Sequence, residues 1–409
     1  MNDTQSIIIQ LLREHGAMTH QQLSRRLGLS LMGINKCFAT LKQAGLIEFV
    51  KSAQFGPGRP ASSACLAPDA GYALGVSIKH LEVELALVNL QNKVLDFTRV
   101  PVAFWGEKKK SSDFVPLFAA INKMLKAVPP GKLRGIGMSI SGTFDLDTGV
   151  ITVANDFESV EQANAFRLQL ERKYRAAVWL VHDTETGLIS ERWCNPSFPP
   201  RPTLLYVRDR LGFSLMLQGK LFRGSNVWMA WLGRVQAPQT PREAPGLLPG
   251  ALAFSARVES WNDRLHGFAP GTRTAPSAEV ERAEIEELFK RWDQEDPEVR
   301  KIVNRGLHKL ALVIRNVCLI LPFDRVILNG WTPGILTQAI AETSAVLQEG
   351  YVVHGAHVKD SNPPVSAAIL GDRTDAVGAA LWAFDQQLQT RIAQRGWKKN
   401  SSKDEDDEE

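Results

Sequence analysis

Apolar positions recur at helical spacing from the first residues of the chain. Ile7, Ile8, Leu11 and Leu12 predict one face of a helix that Gly16 stops. Thr19 is a good N-cap, and Gln22, three residues on, completes a capping box. The second helix carries Leu23 and Leu27 and turns at Gly28, with Leu29 packed beneath. Ser30 caps a third helix whose apolar face is Ile34, Phe38 and Leu41. Two short helices joined by a glycine turn predict a helix-turn-helix. Its third helix is then the reader, with Thr19, Ser30, Met32, Gly33, Asn35 and Lys36 as candidate DNA contacts. Hydroxyls and helix-start amides grip phosphate, whereas Asn and Lys reach base edges. Gly33, a poor helix residue, predicts close approach to DNA or to the second helix. The alternative is a plain three-helix bundle.

A strand-like run at 45–50, a Gly56-Pro57-Gly58-Arg59-Pro60 tip and then Leu66 predict a wing of two strands. Arg59 on that narrow backbone fits an A·T-rich minor groove, or else is a solvated arginine on a linker. From Tyr72 the pattern changes. Residues 73–78 and 83–88 predict two buried strands in a hairpin, and 94–102 a third. A helix at 114–127 and a strand at 134–140 follow, with Ser141-Gly142-Thr143-Phe144-Asp145 as the loop at its end. Another strand, 178–181, ends at His182-Asp183. Ligands bind at such strand ends in α/β sheets. Helices are predicted at 281–292 and 299–319, and irregular structure between Pro238 and Pro276. No sequence repeat is evident.

Composition narrows the picture. The 409 residues suit two or three domains, and 44% hydrophobic with 22% charged residues describes a globular protein. No apolar run reaches the ~18 residues of a membrane span, and Met1–Gln10 has no secretory pattern. Cys37, Cys65, Cys194 and Cys318 lie far apart with no CxxC pair, which argues against a cysteine-built zinc site and for a reducing cytoplasm. Residues 1–64 hold seven Lys/Arg and three acids, a net +4 that equals the charge of the whole chain. A basic module on a neutral body suggests polyanion binding, or a basic surface with no partner. Lys403 and six consecutive acids close a tail expected to be solvated and disordered over 398–409.

Several landmarks then stand in a familiar order. Gly135-Ile136-Gly137-Met138-Ser139-Ile140-Ser141-Gly142 looks like the GIGISxPG loop of the ROK family of repressors and sugar kinases, and His182-Asp183-Thr184-Glu185 like its NDAN segment. Leu211-Gly212-Phe213-Ser214-Leu215 through Gly224 resembles its glycine-rich hairpin. Val326-Ile327-Leu328-Asn329-Gly330 resembles its IVLGG turn, and Gly378-Ala379-Ala380 its closing helix. The resemblance implies an α/β fold: an N-terminal winged helix-turn-helix (1–66) followed by a two-lobed actin/hexokinase-like body. The first lobe would be 71–195, completed by 366–390, and the second 196–365.

The departures bear on chemistry. The family's DxGGT phosphate loop reads Ser77-Ile78-Lys79-His80-Leu81 here, with no glycine to let backbone approach phosphate. The family's zinc motif is replaced by Ala230-Trp231-Leu232-Gly233-Arg234 and a proline-rich stretch without cysteine. The resemblance thus implies no ATP site, no zinc or other metal and no cofactor. Ser141, Gly142, His182, Asp183 and Arg234 remain as candidate effector contacts. Asp183 would accept from a sugar hydroxyl or merely cap the helix after it. His182 is a ligand contact or a partner within the fold. Arg234 would favour an anionic sugar derivative, or is a surface arginine. The expected protein is a cytoplasmic, nucleoid-associated transcriptional regulator, a repressor of a carbohydrate operon. It would bind double-stranded DNA as a homodimer or higher homo-oligomer, outside membranes, and would not be an enzyme. The alternatives are a sugar kinase with an accessory DNA-binding domain and a scaffold that docks another protein.

Overall fold

The computed structural model describes residues 3–51, 62–79, 82–102, 114–199, 201–209, 212–223, 287–349, 351–353, 356–358 and 362–404. The chain divides into two compact units, Met1–Pro200 with Arg373–Glu409, and Arg201–Asp372.

The first unit opens with α1 (Asp3–His15), β1 (Met18–Thr19), α2 (His20–Leu27), α3 (Leu31–Gln43), β2 (Ile47–Lys51) and β3 (Ser62–Leu66). The strands form a sheet in the order β1-β3-β2. Strand β1 was not expected, because two residues are too few to show a period. The core is Ile8, Ile9, Leu12, Leu23, Ile34, Phe38, Leu41 and Ile47. The buried face of α1 is thus rotated from the predicted one: Ile7 is exposed and Ile9 takes its place. Three consecutive isoleucines leave the phase of that face open in the sequence. Each buried Ile, Leu or Phe here contributes about 1.5–3 kcal/mol over its exposed state. Gly28 adopts the left-handed conformation (φ 65°) that ends α2 and makes the turn. The wing tip, Arg59 included, lies outside the described residues.

The unit continues with β4 (Tyr72–Ile78), β5 (Glu82–Asn89), β6 (Val94–Pro101), α4 (Val115–Leu125), β7 (Leu133–Ile140), β8 (Gly142–Phe144), β9 (Ile151–Ala154), α5 (Val160–Tyr174), β10 (Val178–His182) and α6 (Asp183–Cys194). The sheet runs β10-β7-β4-β5-β6; β4, β7 and β10 are parallel, and β5 and β6 antiparallel. The loop expected at Ser141–Asp145 is instead strand β8, paired with β9. A three-residue strand is too short to announce itself by alternation.

The second unit holds β11 (Leu204–Arg208), β12 (Phe213–Leu217), β13 (Lys220–Phe222), α7 (Pro297–Ile320), β14 (Arg325–Asn329), α8 (Pro333–Gln348), β15 (Tyr351–Val353), β16 (Ala356–Val358) and β17 (Val365–Ala367), with a helical segment at 287–293. Its main sheet runs β13-β12-β11-β14-β17. Strands β11, β14 and β17 are parallel, and β12 and β13 antiparallel. Each unit therefore carries the same strand plan, a duplication with no counterpart in residue identity. Buried strands need only apolar side chains of fitting size, so a shared plan survives without shared sequence.

The chain returns to the first unit as α9 (Thr374–Asp404). The helix crosses the sheet where β4 and β7 lack side chains: a Cβ at Gly75 would overlap Ala376, and one at Gly137 would overlap Ala379. Helix on one face and the apolar cluster of Leu74, Val76, Ile136 and Met138 on the other explain why β4 is buried along its whole length. The helix continues to Asp404 and so includes the start of the segment expected as a disordered tail from 398; residues 405–409 lie outside the described ones. Residues 374–404 contain no proline, so nothing in that span removes a helical backbone donor, and an existing helix propagates through Gly396.

Candidate functional site

The first candidate site is the exposed face of α3. Helical spacing sends Ile34, Cys37, Phe38 and Leu41 into the core and leaves Met32, Asn35 and Lys36 outside at i, i+3 and i+4. Met32 is 81% exposed. Thr19 and Ser30 are both occupied as caps. Thr19 Oγ1 accepts from Gln22 N at 3.2 Å while the Gln22 side chain accepts from Thr19 N at 2.8 Å. Ser30 Oγ accepts from Gly33 N at 3.1 Å. Each cap is worth about 1 kcal/mol, and each takes a group that was expected to grip phosphate. Gly33 does not mediate close packing on α2: a Cβ there would meet only Ser30 Oγ, at an ordinary 3.5 Å.

His20 lies behind this face and was not anticipated. Its ring sits edge-on to Phe38 at 4.5 Å and stacks with Phe49 at 6.0 Å. Burial lowers its pKa, and a side-chain hydrogen bond with Asn35 opposes that shift. Asn35 itself remains exposed. A histidine at the first position of a helix, 15 residues before an asparagine, gives no sequence signal of this contact.

The second candidate site lies at the ends of β7 and β10. These strands are parallel neighbours with His182 opposite Ile140, so Ser141-Gly142 and His182-Asp183 leave the sheet side by side. The helix cap is His182, not Asp183: His182 Nδ1 lies 3.3 Å from Thr184 N and 2.8 Å from Thr184 Oγ1. Glu185 Oε2 returns the contact by accepting from His182 N at 3.2 Å. Asp183 Oδ1 stands 2.9 Å from the same His182 Nδ1. Asn155, on the strand return from β9, donates its backbone N–H to Ser141 O at 2.9 Å and joins the site. Gly142 is required where it stands, since a Cβ would overlap the Val153 carbonyl. Arg234 lies outside the described residues.

The place of the phosphate loop holds an ion cluster. Lys79 Nζ lies 2.8 Å from Glu84 Oε1 and 3.5 Å from Asp375 Oδ2. Arg99 Nε adds a contact to Glu84 at 3.2 Å. Glu84 is fully buried, and burial pushes its carboxyl pKa up against the pull of Lys79 and Arg99. Among the described residues no group of His, Cys, Asp or Glu is arranged to hold a metal ion, and no helix is long and apolar enough to cross a membrane.

These elements define a winged helix-turn-helix followed by an α/β body built on two five-stranded sheets. Residues 1–48 match the family described as winged helix-turn-helix DNA-binding. The chain is similar to the DNA-binding transcriptional dual regulator NagC of Escherichia coli (strain K12), 23% identical over 233 residues, which are 56% of each chain. It is also similar to the DNA-binding transcriptional repressor Mlc of the same strain, 22% identical over 259 residues, 62% of each chain. The match thus spans little more than half the length of these relatives. Among solved structures, a ROK family transcriptional regulator described as a homologue of the E. coli Mlc protein shares the fold, with a TM-score of 0.66 and 16% identity. That alignment covers 96% of this chain and 98% of that one. A ROK hexokinase from Thermus thermophilus aligns at a TM-score of 0.55 and 19% identity over 77% of this chain and 99% of its own.

Proposed function

We propose that this protein is a ROK-family transcriptional regulator, a cytoplasmic repressor of a carbohydrate operon that reads double-stranded DNA through α3. The observation that carries the reading is the solvent face of α3. Met32, Asn35 and Lys36 project from a capped helix within a winged helix-turn-helix, and residues 1–64 carry a net charge of +4. Asn suits adenine and Lys suits guanine or phosphate. The relatives described as repressors support the same reading. Selection of duplexes from a randomised pool tests it: a sequence should be enriched, and recovery of no sequence above the starting pool would refute it.

The body is proposed to sense a sugar or an anionic sugar derivative at Ser141, Gly142, His182 and Asp183, with Arg234 supplying positive charge. Asp183 would accept from a sugar hydroxyl, since the helix cap is made by His182. The protein would act as a homodimer or higher homo-oligomer, which gives two readers for two half-sites. It would not be an enzyme. Supporting this, the Lys79 ammonium is drawn to Glu84 and Asp375 where a kinase needs bare backbone for phosphate. A coupled ADP assay across hexoses and amino sugars should stay at background. Sugar-dependent ADP release abolished by Asp183→Ala would restore the kinase alternative. A thermal-shift screen should find sugar phosphates or sugar acids more stabilising than neutral hexoses.

A further inference from the structure

One arginine of the winged helix is buried outside the winged helix's own core. The Arg13 side chain is 0% exposed. Its guanidinium pairs with Asp385 of α9 through Nη1, donates from Nε to Asn92 Oδ1 at 2.7 Å and from Nη2 to the Leu381 carbonyl at 3.3 Å. Its Cζ lies 3.9 Å from the ring centroid of Trp193, one residue before the end of α6. Asp385 Oδ2 accepts in turn from Trp193 Nε1 at 3.1 Å. Next to it, Glu14 pairs with Arg192 at 2.7 Å, and Gln91 Nε2 donates to Leu66 O at 2.6 Å. Every one of these partners of Arg13 belongs to the body. The hydrophobic core of the winged helix is complete without it.

A buried guanidinium stripped of water must be paired, and removal of one partner leaves an uncompensated charge. Asn92, Leu381 and Asp385 satisfy Arg13 in one relative arrangement; any rotation of the winged helix would strand the charge. An apolar interface would tolerate sliding, whereas a forked donor set does not. Burial lowers the Arg13 pKa and the Asp385 carboxylate opposes that shift, which marks the same dependence on one partner.

We propose that Arg13 is a positioning residue for operator reading: it latches the winged helix to α9 and α6 in a single orientation, so that the α3 readers of an assembled regulator are held at a set spacing. The inference rests on the proposed DNA-reading function. It also gives a route from the candidate effector end. Helix α6 begins at Asp183 and ends in Arg192 and Trp193, which hold Glu14 and Arg13. Along its length, Thr186 and Ser190 bond α9 at Asp375 Oδ1 (3.1 Å) and Thr374 O (2.8 Å).

The test uses the full chain with nitroxide labels at two exposed positions, Gln21→Cys on α2 and Arg172→Cys on α5. The native cysteines are replaced by alanine, and labelled protein is diluted with unlabelled. Pulsed dipolar spectroscopy should give one narrow distance distribution for the parent and a broad one for Arg13→Ala and for Asp385→Asn, with Arg13→Lys between them. Asp385→Asn preserves volume, and circular dichroism of each variant checks that the fold is retained. On DNA, the variants should keep the parent's affinity for a single selected half-site but lose roughly 10-fold or more on a correctly spaced pair, with a flattened preference among spacings. A narrow distribution in both Arg13→Ala and Asp385→Asn, or a broad one in the parent, overturns the proposal. Unaltered spacing preference overturns it as well. Failure of the parent to bind any duplex would instead refute the DNA-reading function, while the label distances still judge the latch.

Discussion

At the scale of single residues, Lys36 and Asn35 stand side by side on the solvent face of α3. Both side chains are exposed, three and four residues on from Met32. Lys36→Ala should lower the salt dependence of binding by about one counterion if it meets phosphate, and should relax preference at one base pair if it meets a base edge. Titrations at several salt concentrations against the selected duplex separate these outcomes, and unchanged affinity for both Lys36→Ala and Asn35→Ala would remove α3 as the reader. Glu84 makes a second prediction. Its carboxyl pKa is raised in the folded protein, first by burial, and its Oε2 has no hydrogen-bond partner among the described residues. A group of that kind contributes stability in full below its ordinary value near 4.5 and loses it as pH rises through the raised folded value. Glu84→Gln, which cannot ionise, should flatten the fall in stability above that range. Denaturant melts at stepped pH measure this, and an unchanged profile would contradict the burial argument. None of these partnerships was legible beforehand: Glu84 and Asp375 are nearly 300 positions apart in the chain, and periodicity reports only neighbours.

At the scale of elements, the chain announced its helices through their ends. Thr19 with Gln22, Ser30 and Gly28 fixed the helix-turn-helix because capping is local chemistry written in adjacent residues. At α6 the same logic offered Asp183 as one alternative, and the cap is its neighbour. Aspartate is the commoner cap, but His182 Nδ1 stands closer to the helix start and Asp183 is the first helical residue. Short strands β1 and β8 escaped because their pairing with β3 and β9 comes from tertiary contacts. Gly75 and Gly137 set how closely α9 lies on the sheet, a role that strand periodicity does not announce. Gly137→Val should therefore be strongly destabilising, because its side chain would meet helix backbone that cannot move aside. A loss of several degrees in Tm is expected, and an unshifted melt would show that α9 does not lie so close. The latch at Arg13 escaped for the reason that Glu84 did, since Asn92 and Asp385 reach it from distant segments.

For the whole molecule, the order of landmarks from the winged helix to the closing helix was legible, and with it the fold. The strand plan repeated in the two units was not, since it resides in connectivity and burial. The candidate effector site was only half legible. Neighbouring strand ends bring Ser141, Gly142, His182 and Asp183 together, and Asn155 enters through the β8–β9 hairpin that the sequence did not reveal. The central claim is that α3 of this molecule distinguishes one DNA sequence from others. The most direct measurement is a competition titration of the full chain between the selected duplex and a scrambled duplex of equal length and composition. It is repeated with Asn35 and Lys36 both replaced by alanine. The parent should favour the selected duplex by about 10³-fold or more, and the double variant should lose most of that preference while keeping its weak affinity for scrambled DNA. Equal affinity of the parent for both duplexes, or an undiminished preference in the double variant, would contradict the account.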